Sequence, residues 1–430
     1  MTISAKLLTL DGIKTDIKAA IEAKGVDTTD ALFSEYAGKI LDIIQGDTSE
    51  YIRPSDWLAL PEVLETDDTM VALFAVHEAD KNIVAFQIRG AFTVDWGDGN
   101  IENFADNAVA YHNYNYADLS IDTLSSRGYK QAIMVITPQS GQVISSFKIV
   151  AYPITPRPLY PCYNFLDIVL SFPNATSFGL GYTSTSVGRA YLKMIESFEM
   201  KSSFLSVSSF VYLFSCQTNL KQAIIKSNSA VTDMSYMFNS CYSLTSVPLF
   251  DTSAVKNMTY MFNSCYSLTS VPLFDTSAVE DMSYMFISCY SLTSVPLFDT
   301  SAVKNMTYMF YNCFSLSTVP LFDTSAVISM YAMFSYCYAL TSVPSFDTSE
   351  VTNMNNMFNY CHSLKRIQFP ILFTADLGYL SLEVAALVEI FNNLPTKTGQ
   401  TLYIANNPGA ALLSVAERKI ATNKGWTLSG

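Results

Sequence analysis

From Met234 onward the chain repeats one pattern every 24 residues, M-x-x-M-F-x-x-C-x-x-L-x-x-V-P-x-F-D-T-S-x-V-x-x. Met234, Met258, Met282, Met306, Met330 and Met354 hold its first position. Phe238, Phe262, Phe286, Phe310, Phe334 and Phe358 hold the fifth, and Cys241, Cys265, Cys289, Cys313, Cys337 and Cys361 the eighth. A fixed period of this length predicts a solenoid. Each unit is too small to bury its own apolar face, so it must stack on a neighbour. Parallel rungs rise ~4.8 Å each, so the stack spans roughly 30 Å. Within a rung, Leu244, Val247 and Leu249 predict a short strand with all three facing inward. Pro248 cannot donate to a ladder, so the strand weakens or ends there. Asp251-Thr252-Ser253 follows as a turn, and Val255, Met258, Met261 and Phe262 pack the second side of the coil. Residues 244–267 and 268–291 differ at only 4 of 24 positions. Core packing tolerates far looser matching, so either the duplication is recent or a repetitive surface is useful.

The repeat resembles the BspA-like leucine-rich repeats, in the M-x-x-M-F-x-x-C form found in bacterial and phage surface proteins. The resemblance covers about residues 205–370. Upstream, Phe214-Ser215-Cys216 and Leu220 read as a degraded rung with one extra residue before its leucine. The expected solenoid occupies 161–370, with clear repeats over 231–364.

The rest of the chain has a different texture. A length of 430 residues predicts more than one core, and with 15% charged residues the surface must be dressed with Ser, Thr, Asn and Tyr. A formal charge of −13 argues against a nucleic-acid partner and against an anionic membrane surface. No apolar run approaches the ~20 residues that span a bilayer, so no membrane insertion is expected. The start, Met1 to Asp11, lacks a basic end followed by an apolar stretch, which predicts synthesis in a cytoplasm without a signal peptide. Over residues 1–48, Leu7, Leu10, Ile13, Ile17 and Ile21 fall at helical spacing before Gly25. A second helix is expected through Phe33, Tyr36, Ile40 and Ile43. This stretch resembles the helical leader of phage tail-fibre proteins, which implies attachment to other virion tail proteins and homo-oligomerisation.

Residues 51–160 alternate like strands at Ala85–Ile88, Phe92–Val94 and Ala132–Ile136. Val94-Asp95-Trp96-Gly97-Asp98-Gly99 resembles the W-G-D-G turn of PKD-like β-sandwich modules, with Tyr111-His112-Asn113-Tyr114 further on, and Asp98-Gly99 is itself a hairpin signal. Residues 371–430 predict an α/β cap: a helix from Leu380 to Leu394, a strand through Leu402, a helix near Ser414–Asn423, and a closing Gly425-Trp426. That ending resembles those of phage tail proteins. The expected fold is therefore mixed and β-rich: helical leader, PKD/Ig-like sandwich, leucine-rich-repeat solenoid, α/β cap.

Candidate chemistry is sparse. Seven of the eight cysteines lie in the repeat column or its degraded start, without C-x-x-C pairs or nearby histidines. Neighbouring rungs would bring them within disulfide range, but buried free thiols are the favoured reading. His77, His112 and His362 lie in separate contexts and form no triad. No nucleophile elbow, phosphate loop or zinc-hydrolase motif is present, so neither enzyme activity nor a cofactor is expected. The column Asp251, Asp275, Asp299, Asp323 and Asp347 fits a side-chain-capped turn better than a calcium ladder, which needs six or more oxygens per ion. Two aromatic columns remain as candidate receptor contacts: Tyr236, Tyr260, Tyr284 and Tyr308, and Tyr242, Tyr266, Tyr290, Phe314 and Tyr338. Their neighbours point inward, so these rings are expected at or near the surface. There they either recognise a host protein or glycan or merely pack and stiffen the stack. Together the resemblances imply a virion tail component that displays a recognition surface. A spacer without external ligand and a bacterial adhesin are the rivals, and a polysaccharide depolymerase is more distant.

Overall fold

Strands buried on one face or on both build the first half of the described chain. The computed structural model describes residues 51–78, 82–149, 164–180, 195–202, 207–226 and 229–430; the expected helical leader lies outside them. Eleven strands come first: β1 (Thr69–Val76), β2 (Asn82–Arg89), β3 (Phe92–Asp95), β4 (Ile101–Phe104), β5 (Val109–Tyr114), β6 (Lys130–Pro138), β7 (Ser146–Ile149), β8 (Phe165–Ser171), β9 (Ser177–Gly179), β10 (Ser197–Met200) and β11 (Gln222–Ile224). They form a sheet in the order β11-β10-β8-β1-β6-β3-β4 and a second in the order β5-β2-β7-β9. Successive side chains of a strand point to opposite faces. Met70, Ala72, Phe74 and Val76 of β1 accordingly enter the main core, while Leu73 and Ala75 pack on the other face with Trp57, Tyr129 and Leu166. The two sheets meet through Phe86, whose ring lies 5.8 Å from Trp96 and 6.1 Å from Phe92 of β3.

Strand β8 is the junction. It pairs antiparallel with β1 on one side and parallel with β10 on the other, and β10 pairs parallel with β11. The first sheet thus runs on into the first rungs without an edge. In the second sheet β9 joins β7 in parallel in the same way. A continuous buried cluster extends from Met70 to Trp426, so sheets and rungs share one core.

The rungs themselves are held by turns more than strands. Single bridges link Ser209, Asp233, Asn257, Asp281, Asn305, Ser329 and Asn353 in parallel. After each bridge come two left-handed residues, such as Tyr260 at φ 57° and Ser264 at φ 60°. This alternation sends the amide hydrogens in two directions. The N–H groups of Met258, Tyr260, Phe262 and Ser264 donate to the next rung, at Asp281, Ser283, Met285 and Ile287, over 2.8–3.2 Å. Those of Met261, Asn263 and Cys265 close turns within the rung, on Met258, Tyr260 and Phe262. Every amide from Met258 to Cys265 named here is satisfied, as burial demands.

Two expectations need correction. The inward strand Leu244-Val247-Leu249 does not form as drawn: Leu244 and Val247 are buried, but the Leu249 column turns outward, with Leu273 51% and Leu297 60% exposed. The cause is a γ-turn after proline. Phe274 N–H donates to Pro272 O at 3.0 Å, and Phe298 to Pro296 likewise, which swings the phenyl ring inward and the leucine out. The upstream rung is also not one residue longer. Tyr212 stacks on Tyr236 and Phe214 on Phe238, each 24 residues apart, so Cys216 sits in the Ser240 column. Gln217, 1% exposed, takes the place in the cysteine column.

At the far end β12 (Ser342–Val343) pairs in parallel with β13 (Arg366–Ile367). Beyond them β14 (Ala375–Asp376), β15 (Gln400–Tyr403) and β16 (Trp426–Ser429) form a parallel sheet. The segment read as a helix over 380–394 carries α1 (Val384–Asn393), which buries Leu387, Ile390 and Phe391. Helix α2 (Val415–Thr422) begins with a reciprocal cap between Ser414 and Glu417.

Candidate recognition surface

The two aromatic columns are stacks of rings. Tyr236, Tyr260, Tyr284 and Tyr308 follow one another at centroid separations of 4.6, 4.3 and 4.9 Å. Tyr242, Tyr266, Tyr290, Phe314 and Tyr338 follow at 4.6, 4.7, 4.6 and 5.0 Å. His362 extends the second column at 5.7 Å, nearly parallel to Tyr338. The first column breaks where Ala332 replaces tyrosine. Tyr311, Tyr336 and Tyr360 carry the rings onward at 5.1, 5.3 and 4.5 Å, and Tyr336 meets Tyr338 at 6.2 Å. All nine candidate residues therefore belong to one connected aromatic network.

Their exposure follows from the stacking. Tyr242 and Tyr338 are 40% and 39% exposed, and the other seven are half-buried. Inside a column each ring face lies on a neighbour, so solvent meets ring edges and hydroxyls. Burial pushes the Tyr236 and Tyr260 phenols up, and like-charge neighbours add to it. Burial, Tyr331 and Tyr284 push Tyr308 up to about 12. These three phenols stay protonated at neutral pH, each able to donate and to accept.

Behind the rings, each cysteine Sγ lies 3.0–3.1 Å from a phenylalanine carbonyl of the preceding rung and donates to it: Cys241 to Phe214, Cys265 to Phe238, and so on to Cys361 on Phe334. In the cysteine-column position of the first rung, Gln217 Nε2 donates to Leu180 O at 3.4 Å instead. Burial pushes the thiols up, Cys361 to about 12, which suits donors and not nucleophiles.

The Asp column is a ladder of side-chain-capped turns. Asp251, Asp275, Asp299, Asp323 and Asp347 each accept from the backbone N–H of the serine two residues on, at 2.9–3.1 Å. Those serine hydrogen bonds hold the Asp299 and Asp323 carboxyls below the usual range. The threonine between is a contributor that sequence reasoning missed. Thr252, Thr276, Thr300 and Thr324 are buried, and each Oγ1 donates to an Asp carbonyl of the next rung at 2.7–2.8 Å.

In the sheets, one of the histidines has an acidic partner. His112 Nε2 is 2.7 Å from Asp98 Oδ2, and its ring stacks on buried Trp96 at 4.7 Å. Tyr114 donates to Trp96 O at 2.8 Å, so these contacts pin the W-G-D-G turn. Gly97 is required there: its φ is +77°, and a Cβ would stand 2.2 Å from Ile133 O. The His112–Asp98 pair thereby braces the turn. Among the described residues no three His, Cys, Asp or Glu side chains gather to hold a metal ion, and no helix is long and apolar enough to cross a membrane.

A family described as "Mycoplasma protein of unknown function, DUF285" matches residues 191–317 and 290–369. The match begins upstream of the clear repeats and takes in Tyr212 and Phe214, which already stand in the 24-residue register. No curated protein matches the chain. The chain is a β-rich repeat protein whose solenoid region is similar to that family.

Proposed function

We propose that this protein is a structural component of a phage tail, a fibre or receptor-binding subunit, which displays its repeat surface to a host cell. The observation that carries the reading is the comb of tyrosine edges and hydroxyls that runs along consecutive rungs. Such a surface offers many identical weak contacts to a host protein or glycan. The resemblances of the leader, the W-G-D-G segment and the C-terminal ending to phage tail and PKD-like modules support a position on a particle. There the leader attaches, the two-sheet unit spaces, and the rungs present. A second reading, a spacer without external ligand, is favoured by one fact: the ring faces inside each column are already used by their neighbours.

The test replaces Tyr242, Tyr266 and Tyr290 together with Ser and measures adsorption of particles carrying the variant. Contact aromatics commonly cost about 2 kcal/mol or more each when truncated, so adsorption should fall by two orders of magnitude or more. The control changes the exposed Ser270, Ser294 and Thr318 to Ala and should leave adsorption unchanged. Unchanged adsorption in a folded tyrosine variant would favour the spacer. Immunogold labelling of intact particles tests the tail assignment; label on bacterial surfaces alone would favour an adhesin.

A further inference from the structure

A second surface, independent of the tyrosines, is built by the γ-turns. Leu273, Leu297 and Leu321 stand 51%, 60% and 60% exposed in consecutive rungs, with Leu249 half-buried before them. The fold does not need leucine there. Ser345 fills the same place in the next rung, and Phe346 N–H still closes its turn on Pro344 O at 3.0 Å. Beside the leucines runs the Asp column. Leu249, Leu273, Asp251 and Asp275 line one shallow groove of about 380 Å³ together with Ile225, so both columns face the same way. No lysine or arginine pairs with Asp275, Asp299 or Asp323 among the described ion pairs.

We infer that this leucine–aspartate stripe is a docking surface for a cationic amphipathic helix of a partner protein. Charge selects the occupant. A second copy of this chain would bring its own carboxylate column and a net charge of −13 against the first. A partner with a leucine-like row and a lysine or arginine row satisfies both columns. The spacing fits: rungs recur at ~4.8 Å and helix turns at ~5.4 Å. The drift over three steps is therefore about 2 Å, within side-chain reach.

The probe is a fluorescent 18-residue peptide of Leu and Lys with one apolar and one basic face, titrated into the full chain by anisotropy. A scrambled peptide of identical composition is the comparison. The amphipathic peptide should bind at least tenfold more tightly than the scrambled one and weaken as salt rises. Leu273→Ser with Leu297→Ser and Leu321→Ser should weaken it at least tenfold. Asp275→Asn with Asp299→Asn and Asp323→Asn, which keeps an acceptor in each turn, should weaken it and flatten the salt dependence. Circular dichroism confirms the fold of each variant, and either one alone decides the matter if the other fails to fold. Equal binding of both peptides, no binding, or binding unaffected by the substitutions would overturn the proposal. So would leucine-dependent dimerisation of the chain in sedimentation.

Discussion

The sheets at the N-terminal end and the rungs that follow bury similar side chains but hold them differently. In the sheets each large residue has its own unrepeated set of partners, as Trp96 has with Phe86, His112 and the hydroxyl of Tyr114. In the rungs each residue meets a copy of itself: Phe286 lies 5.6 Å from Phe262 and 5.6 Å from Phe310, with planes within 6°. Unique partners spread risk over many kinds of contact. Copied partners concentrate it, because one physical weakness recurs in every rung.

Alkali exposes that weakness most. Burial keeps the repeat thiols protonated in the fold, with Cys361 pushed up to about 12, whereas an unfolded thiol ionises near ~8.5. As pH rises the unfolded chain therefore loses protons first. Stability is full below about pH 8.5 and is lost as pH climbs toward the folded values. Each of the six column thiols removes ~1.4 kcal/mol per pH unit in that window, on the order of 8 together. Chemical melts at pH 8, 9 and 10 should show the solenoid failing within one to two units above 8.5. Replacing Cys265 and Cys289 with Ala should make the dependence about a third shallower.

Phe286→Ala comes next. A central cavity in a column of phenyl rings should cost ~3–5 kcal/mol. A denaturation midpoint equal to that of the parent would place the ring outside the core. Thr276→Val keeps the shape but removes the donor to Asp299 O, and should cost ~1–2 kcal/mol. The smallest effect has the opposite sign. Ser264 is left-handed at φ 60°, so Ser264→Gly should stabilise by up to ~1 kcal/mol, seen as a slightly higher melting temperature. A lower one would mean that its hydroxyl bond to Asn263 Oδ1 outweighs the backbone strain.

Much of the rung was readable because its columns are chemically distinct. Met, Phe and Cys at fixed offsets announce an interior, and Asp-Thr-Ser announces a turn. What stayed hidden depends on backbone torsions that residue type does not encode. Nothing about Tyr260 or Ser264 predicts a left-handed conformation, yet it is their φ that aims the amides at the next rung. Leu249 and Phe250 are both apolar, and only the γ-turn after Pro248's counterparts decides which faces water. Cys216 misled for a related reason: a cysteine one place early looks like an insertion until the stack of Phe214 on Phe238 fixes the register. The aromatic columns could be read from spacing. Their face-to-face stacking, which limits what they can contact, could not.

Cross-rung amide bonds made by turn residues, without regular strands, hold the stack as firmly as the ladders hold the sheets. Native-state hydrogen exchange read by mass spectrometry tests it directly. The amides of Met258, Tyr260, Phe262 and Ser264, and of their counterparts as far as Met330, Ala332, Phe334 and Tyr336, should exchange as slowly as those of β1 and β6, since both sets are bonded within one core. Exchange of the rung amides at loop rates, while β1 and β6 stay protected, would contradict the account.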